Sequence, residues 1–110
     1  MTQWIYDWPQ IIRDLQADAY TAHGKRDVRK AAREWATCAC GNLCDEIPRK
    51  ASGAPCDAVL SFAGLDFCYA IRDLCKAKTA HQREIYAISA RYHLFRIEQR
   101  ADRLLREKQP

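Results

Sequence analysis

Along the chain, apolar positions recur at spacings of three and four, the period of an amphipathic helix and not the alternation of a half-buried strand. Trp8, Ile11, Ile12, Leu15 and Ala19 fall on one helical face. Asp7 stands three residues before Gln10 in the manner of a capping box, and Pro9 is tolerated in a first turn. Gly24 is expected to break this segment, and Asp27 to cap the next helix. That second stripe runs Val28, Ala31, Ala32, Trp35, Ala39, Asn42 and Leu43. Pro48 stops it, because a proline disfavours the α conformation at Ile47.

The stretch from Pro48 to Pro55 reads as the main loop, with Pro55 suited to the first turn of a third helix. Leu60, Gly64, Phe67, Cys68, Ile71, Leu74 and Cys75 form its stripe. A fourth and longest helix is predicted from about Ala80 to Glu107. Tyr86, Ala90, Leu94, Ile97, Ala101, Leu104 and Leu105 make one stripe on it, and Ile85, Ile88, Tyr92 and Phe95 make a second beside the first. Asp102 with Arg106, and Arg103 with Glu107, are i,i+4 pairs that support its end. The pattern predicts an all-α fold: about four helices in a small bundle, with a long C-terminal helix, in one domain over residues 1–110.

The length of the last helix changes this picture. About 27 residues at 1.5 Å rise span roughly 40 Å, whereas a compact domain of this size is only about 34 Å across. The helix is therefore expected to overhang its own domain or to pack on another chain. Ile85, Ile88, Tyr92 and Phe95 are the candidate interface, and a homo-oligomer or a protein partner is the expectation.

Composition agrees with a folded chain. The 110 residues suffice for one core, and 48% hydrophobic with 29% charged residues excludes a disordered tail. The N-terminus lacks the basic and apolar regions of a secretory signal, and no apolar run approaches the roughly 18 residues a membrane helix needs. A cytoplasmic location and no membrane partner are expected. In a reducing compartment the six cysteines are read as thiols before metal ligands or disulfides. Cys68 and Cys75, seven apart in an apolar stripe, are small core residues. Cys38 and Cys56 read as rim and loop thiols. Cys40 and Cys44 share a helical face and stay open among packed thiol, metal ligand and redox-active pair, so no metal site is assigned.

The formal charge of +4 is not spread evenly. Residues 1–20 are acidic, residues 51–78 are balanced, and the excess lies in residues 21–50 and 79–110. Arg26, Arg29, Lys30 and Arg33 recur at helical spacing as a cationic ridge opposite the Val28/Trp35 stripe, a candidate grip for phosphates or for an acidic partner. Arg96, Arg100 and Arg103 form a weaker ridge. Neither belongs to a recognisable helix-turn-helix or other named DNA-reading motif, and sequence-specific DNA recognition has little support. His23, His81 and His93 read as helix-end or packed residues. No H-E-x-x-H, G-x-S-x-G, Walker loop or G-x-G-x-x-G occurs, so no enzyme and no cofactor are expected.

The segment from Trp35 to Cys44, followed by Ile47-Pro48-Arg49, resembles small uncharacterised helical proteins of bacteriophages and prophages. Ala63-Gly64-Leu65-Asp66-Phe67 and the Ile97-Glu98-x-x-Ala101 pattern extend the resemblance over residues 28–105. The resemblance implies a non-enzymatic protein-binding module, a phage-encoded inhibitor of a host or defence complex of the CRISPR type. The alternative is a small basic helical protein that binds nucleic acid or a nucleotide through the Arg26–Arg33 ridge.

Overall fold

The computed structural model describes residues 6–36, 53 and 57–108. Among them are four helices and no strand: α1, Trp8–Gln16; α2, Ala22–Ala36; α3, Ala58–Lys76; and α4, Ala80–Lys108. The fold is all-α, as the periodicity predicts.

Local chemistry sets each boundary. Asp7 caps α1 by accepting from the Gln10 N–H at 3.2 Å. The reciprocal half of the capping box is absent, since the Gln10 side chain donates to Asp14 and accepts from Arg13. The helix ends before Ala19, which the sequence stripe had included. Asp18 takes the left-handed conformation (φ 55°), its N–H donates to the Leu15 carbonyl, and the Ala19 N–H reaches the Asp14 carbonyl. That is a Schellman closure with aspartate in the place usually held by glycine. Lys25 holds the turn by pairing with Asp18 at 2.6 Å, and the pairing keeps the Asp18 carboxyl below its ordinary range.

The expected break at Gly24 and cap at Asp27 are corrected by the structure. The cap of α2 is Thr21, whose Oγ1 accepts from the Gly24 N–H at 3.0 Å. Gly24 lies inside the first turn, where a Cβ would come within 3.2 Å of the Tyr20 ring. Its value there is space for that ring. Pro55 lies outside the described residues. The cap of α3 is Asp57, which accepts from the Leu60 N–H at 3.0 Å. Thr79 caps α4 through the Gln82 N–H, while Gln82 Oε1 accepts from the Lys78 N–H.

The buried side chains form one cluster drawn from all four helices. Phe67 of α3 is fully buried at its centre. The Trp8 indole of α1 meets its ring at 5.0 Å and 84°, and the Trp35 indole of α2 meets it at 5.4 Å and 72°. Both are edge-to-face arrangements, which favour aromatic pairs beyond the area they bury. Every member of the predicted α3 stripe is buried, Cys68 and Cys75 included. On α4, Ala90, Leu94, Ile97 and Ala101 are buried as predicted, joined by Ala87, and Leu104 and Leu105 pack partly against the core.

Helices α3 and α4 run antiparallel. Asp57 at the head of α3 receives Arg100 Nε and Nη2 at 3.1 and 2.9 Å, and Asp66 receives Arg96 Nη1 at 2.9 Å. Helix α1 packs on the first half of α4, where Arg83 Nε donates to the Gln16 carbonyl and Arg91 Nη2 to its Oε1. The whole molecule is drawn out to 48 × 22 × 20 Å, about the length of α4 itself.

Two predictions follow from this packing. Phe67→Ala should cost about 3–5 kcal/mol in urea unfolding, the range for removing a buried aromatic ring. Asp57→Ala should cost about 2–3 kcal/mol, because it removes a cap and leaves Arg100 without its carboxylate. Arg100, ahead of the backbone N–H groups, holds the Asp57 carboxyl below its ordinary value. A depressed acid stabilises fully above the unfolded-state value near 3.8 and progressively less as pH falls below it. The gap in stability between the native chain and the variant should therefore narrow as pH drops from 5 towards 2.

Candidate functional site

Two surfaces stand out once the core is accounted for. The first is the outer side of the α3/α4 layer. At 100° per residue, the buried positions of α3 centre on Phe67, and Phe62, Leu65 and Tyr69 lie on the opposite side. On α4 the buried side centres on Ala90, Leu94 and Ala101, and Ile85, Ile88, Tyr92 and Phe95 lie opposite. With Val59 these are eight large apolar side chains exposed by 41–66%. The antiparallel register set by the Asp57–Arg100 and Asp66–Arg96 pairs brings Phe62 and Tyr69 to the same height as Phe95 and Tyr92. The candidate interface read from the sequence is thus exposed, and it is half of a wider face. The α3 half was missed because its members sit between those of the buried stripe. The available signal was that α3 is apolar nearly all the way round, which a helix with one buried face does not require.

The second surface is concave. Arg26, Arg29 and Arg33 of α2 face Arg72 and Lys76 of α3 across a cavity of about 530 Å³, floored by Ala36, Leu65, Cys68 and Tyr69. Three of the four ridge residues therefore line a cavity against α3. Lys30 is exposed and turned away from the cavity. On the wheel Arg29, Arg33 and Arg26 lie about 100°, 140° and 160° round from the buried Val28 in one sense, whereas Lys30 lies about 160° round in the other. Arg72 and Lys76 were invisible to a reading taken one helix at a time.

The cavity has a consistent electrostatic character. Among the described residues no carboxylate lines it. None forms an ion pair with Arg29, Arg33 or Lys76. Arg72 lies over the Tyr69 ring with its guanidinium carbon 4.9 Å from the centroid, and leans towards Asp73 at 3.4 Å. Arg26 approaches His23 Nδ1 at 3.4 Å. Burial pushes the Cys68 thiol up, with Arg33 and Arg72 opposing. Burial pushes Cys75 up to about 11. Both thiols are buried in the core cluster, and burial favours their protonated form.

The weaker ridge has another role. Arg96 and Arg100 are committed to Asp66 and Asp57, so they join α4 to α3, and Arg103 pairs with Glu107 at 3.0 Å. Arg96 Nη1 also donates to His93 Nδ1 at 3.0 Å. Burial, ahead of the opposing pull of Asp66, lowers the His93 pKa. Cys38, Cys40, Cys44 and Cys56 lie outside the described residues. Among the described ones no group of three or more His, Cys, Asp or Glu gathers as a metal site. No described helix is long and apolar enough to cross a membrane. Comparison with protein-family models, with curated proteins and with solved structures finds no match to this chain.

Five cations around one cavity repel each other, and like charges at i,i+4, as in Arg29 and Arg33, cost about 0.2–0.5 kcal/mol on their own. Raising sodium chloride from about 20 to 300 mM should therefore raise the melting temperature by screening. The double variant Arg29→Gln/Arg72→Gln should be more stable than the native chain at low salt, by about 0.5–1 kcal/mol, with a flatter salt dependence. Thermal unfolding across the salt series measures both.

Proposed function

We propose that this chain is a non-enzymatic protein-binding module whose docking surface is the outer face of α3 and α4. One observation carries the reading: eight large apolar side chains stand 41–66% exposed on that face. Taking about 150–250 Å² for a whole aromatic side chain, they present on the order of 800 Å² of apolar surface. The largest exposed apolar patch of an ordinary monomer is about 300–600 Å² and is itself often functional. One side of a standard protein–protein interface buries about 800 Å².

The partner such a face fits is another helical surface, apolar at its centre. In the absence of another protein, the same face on a second copy meets the requirement, and we take the chain to pair with itself at high concentration. The partner class, a host or defence protein such as a CRISPR-type complex, comes from the resemblance to phage proteins and is part of the proposal.

Light scattering between about 1 and 200 µM should show the native mass rising above that of a monomer, with Ile88→Asp/Tyr92→Asp remaining monomeric and equally helical. A photo-crosslinker at Phe95 should join native chains, or chain and host protein, and the Asp variant should lose the product. A native chain that stays monomeric at 200 µM and yields no crosslink beyond that of the variant would overturn the reading.

A further inference from the structure

The cationic cavity between α2 and α3 is floored in part by the buried Ala36 and Cys68, and none of its cations pairs with a described carboxylate of another helix. We infer that it is a binding site for a small polyphosphate-bearing ligand, a nucleoside di- or triphosphate. Three observations meet here. The first is convergence. Arg26, Arg29 and Arg33 come from one helix and Arg72 and Lys76 from the next, and they surround one concavity instead of marking out a track. A nucleic-acid backbone asks for cations spaced along its length. A compact phosphate chain asks for them gathered, with planar guanidinium groups able to grip oxygens in pairs.

The second is uncompensated charge. Arg29, Arg33 and Lys76 have no ion-pair partner among the described carboxylates, and none of those carboxylates lines the cavity. A fold that keeps five cations together carries a repulsion that a multiply charged anion relieves. The third is shape. About 530 Å³ falls within the usual range of ligand pockets, and the floor is apolar. Leu65, Cys68 and the half-exposed Tyr69 ring offer a planar heterocycle a surface to lie against while its phosphates reach the arginines.

The test is calorimetric titration of the full chain with ATP, pyrophosphate, adenosine and a single-stranded RNA twelve-mer, each in low and moderate salt. ATP should bind with a dissociation constant on the order of 100 µM or tighter at low salt, with pyrophosphate weaker and adenosine undetectable. Arg29→Gln/Arg72→Gln should weaken ATP at least tenfold, and so should Arg33→Gln/Lys76→Gln, an independent pair should the first perturb packing. Lys30→Gln, outside the cavity, should stay within twofold. Tyr69→Ala should weaken ATP several-fold while leaving pyrophosphate unchanged. Circular dichroism checks that each variant is folded. No binding of ATP or pyrophosphate at 5 mM would overturn the assignment. So would Lys30→Gln weakening ATP as much as the cavity variants. An RNA oligomer bound more tightly than ATP and weakened equally by every cation removed would also overturn it, and would mark the ridge as a nucleic-acid surface.

Discussion

The edge-to-face clamp on Phe67 is the contact on which the arrangement of this molecule depends. Its ring is fully buried between the indoles of Trp8 and Trp35, so one residue of α3 fixes both α1 and α2 to the same side of that helix. Everything outward follows from that choice. With both N-terminal helices committed to one side, the opposite faces of α3 and α4 have no described helix left to cover them. The clamp also draws α2 close along α3, and Arg29, one position from the buried Val28, is thereby carried to the edge of Arg72 and Lys76. The Trp8 Nε1, buried with no hydrogen-bond partner among the described residues, fits this packing: a donor without an acceptor costs about 1–3 kcal/mol, set against the packing the indole provides.

A second constraint acts between α3 and α4. Helix faces alone permit the two to slide by a turn, since a turn restores the same stripes. The bidentate Arg100–Asp57 contact does not permit it. Asp57 has 15% of its side chain exposed and Arg100 25%, so the pair is shielded enough to matter, and the carboxylate simultaneously holds the Leu60 N–H at the head of α3. One side chain thus starts the helix and sets its register against the neighbour. That register sets Tyr69 and Phe62 at the height of Tyr92 and Phe95 along the helix pair.

Legibility in the sequence divides along physical lines. The helices, the α3 core stripe and the exposed second stripe of α4 were readable, because each is a periodic property of one segment. The starts of α1 and α4 were read at Asp7 and near Ala80, but the start of α2 was misread for a different reason. Asp57 and the Thr79–Gln82 capping pair were present as signals, but Gly24 drew attention as a breaker when its role is to admit the Tyr20 ring. The cationic cavity was half readable. Arg26, Arg29 and Arg33 are periodic, while Arg72 and Lys76 join them only through the packing of α2 on α3. The same limit made Arg96 and Arg100 look like a free ridge, since nothing within α4 shows that Asp57 and Asp66 wait across the interface.

The two surfaces are not independent, because Leu65 and Tyr69 belong to both. Each is among the exposed apolar side chains of the outer face, and each lines the cavity. A protein seated on the outer face covers the Tyr69 ring from one side, and an anion gripped by Arg72 acts on it from the other, through the guanidinium stacked over that ring. Whatever occupies one surface therefore changes the shape or charge that the other presents. Linkage makes that effect reciprocal: a ligand that strengthens docking must itself be bound more tightly by the docked form, and by the same factor. The sign follows from Arg72. Left without an anion, its charge sits at the rim of an apolar face and must be partly desolvated when a partner closes over it, which costs free energy. Neutralised by a phosphate, it resists less, so occupancy of the cavity should favour docking on the outer face.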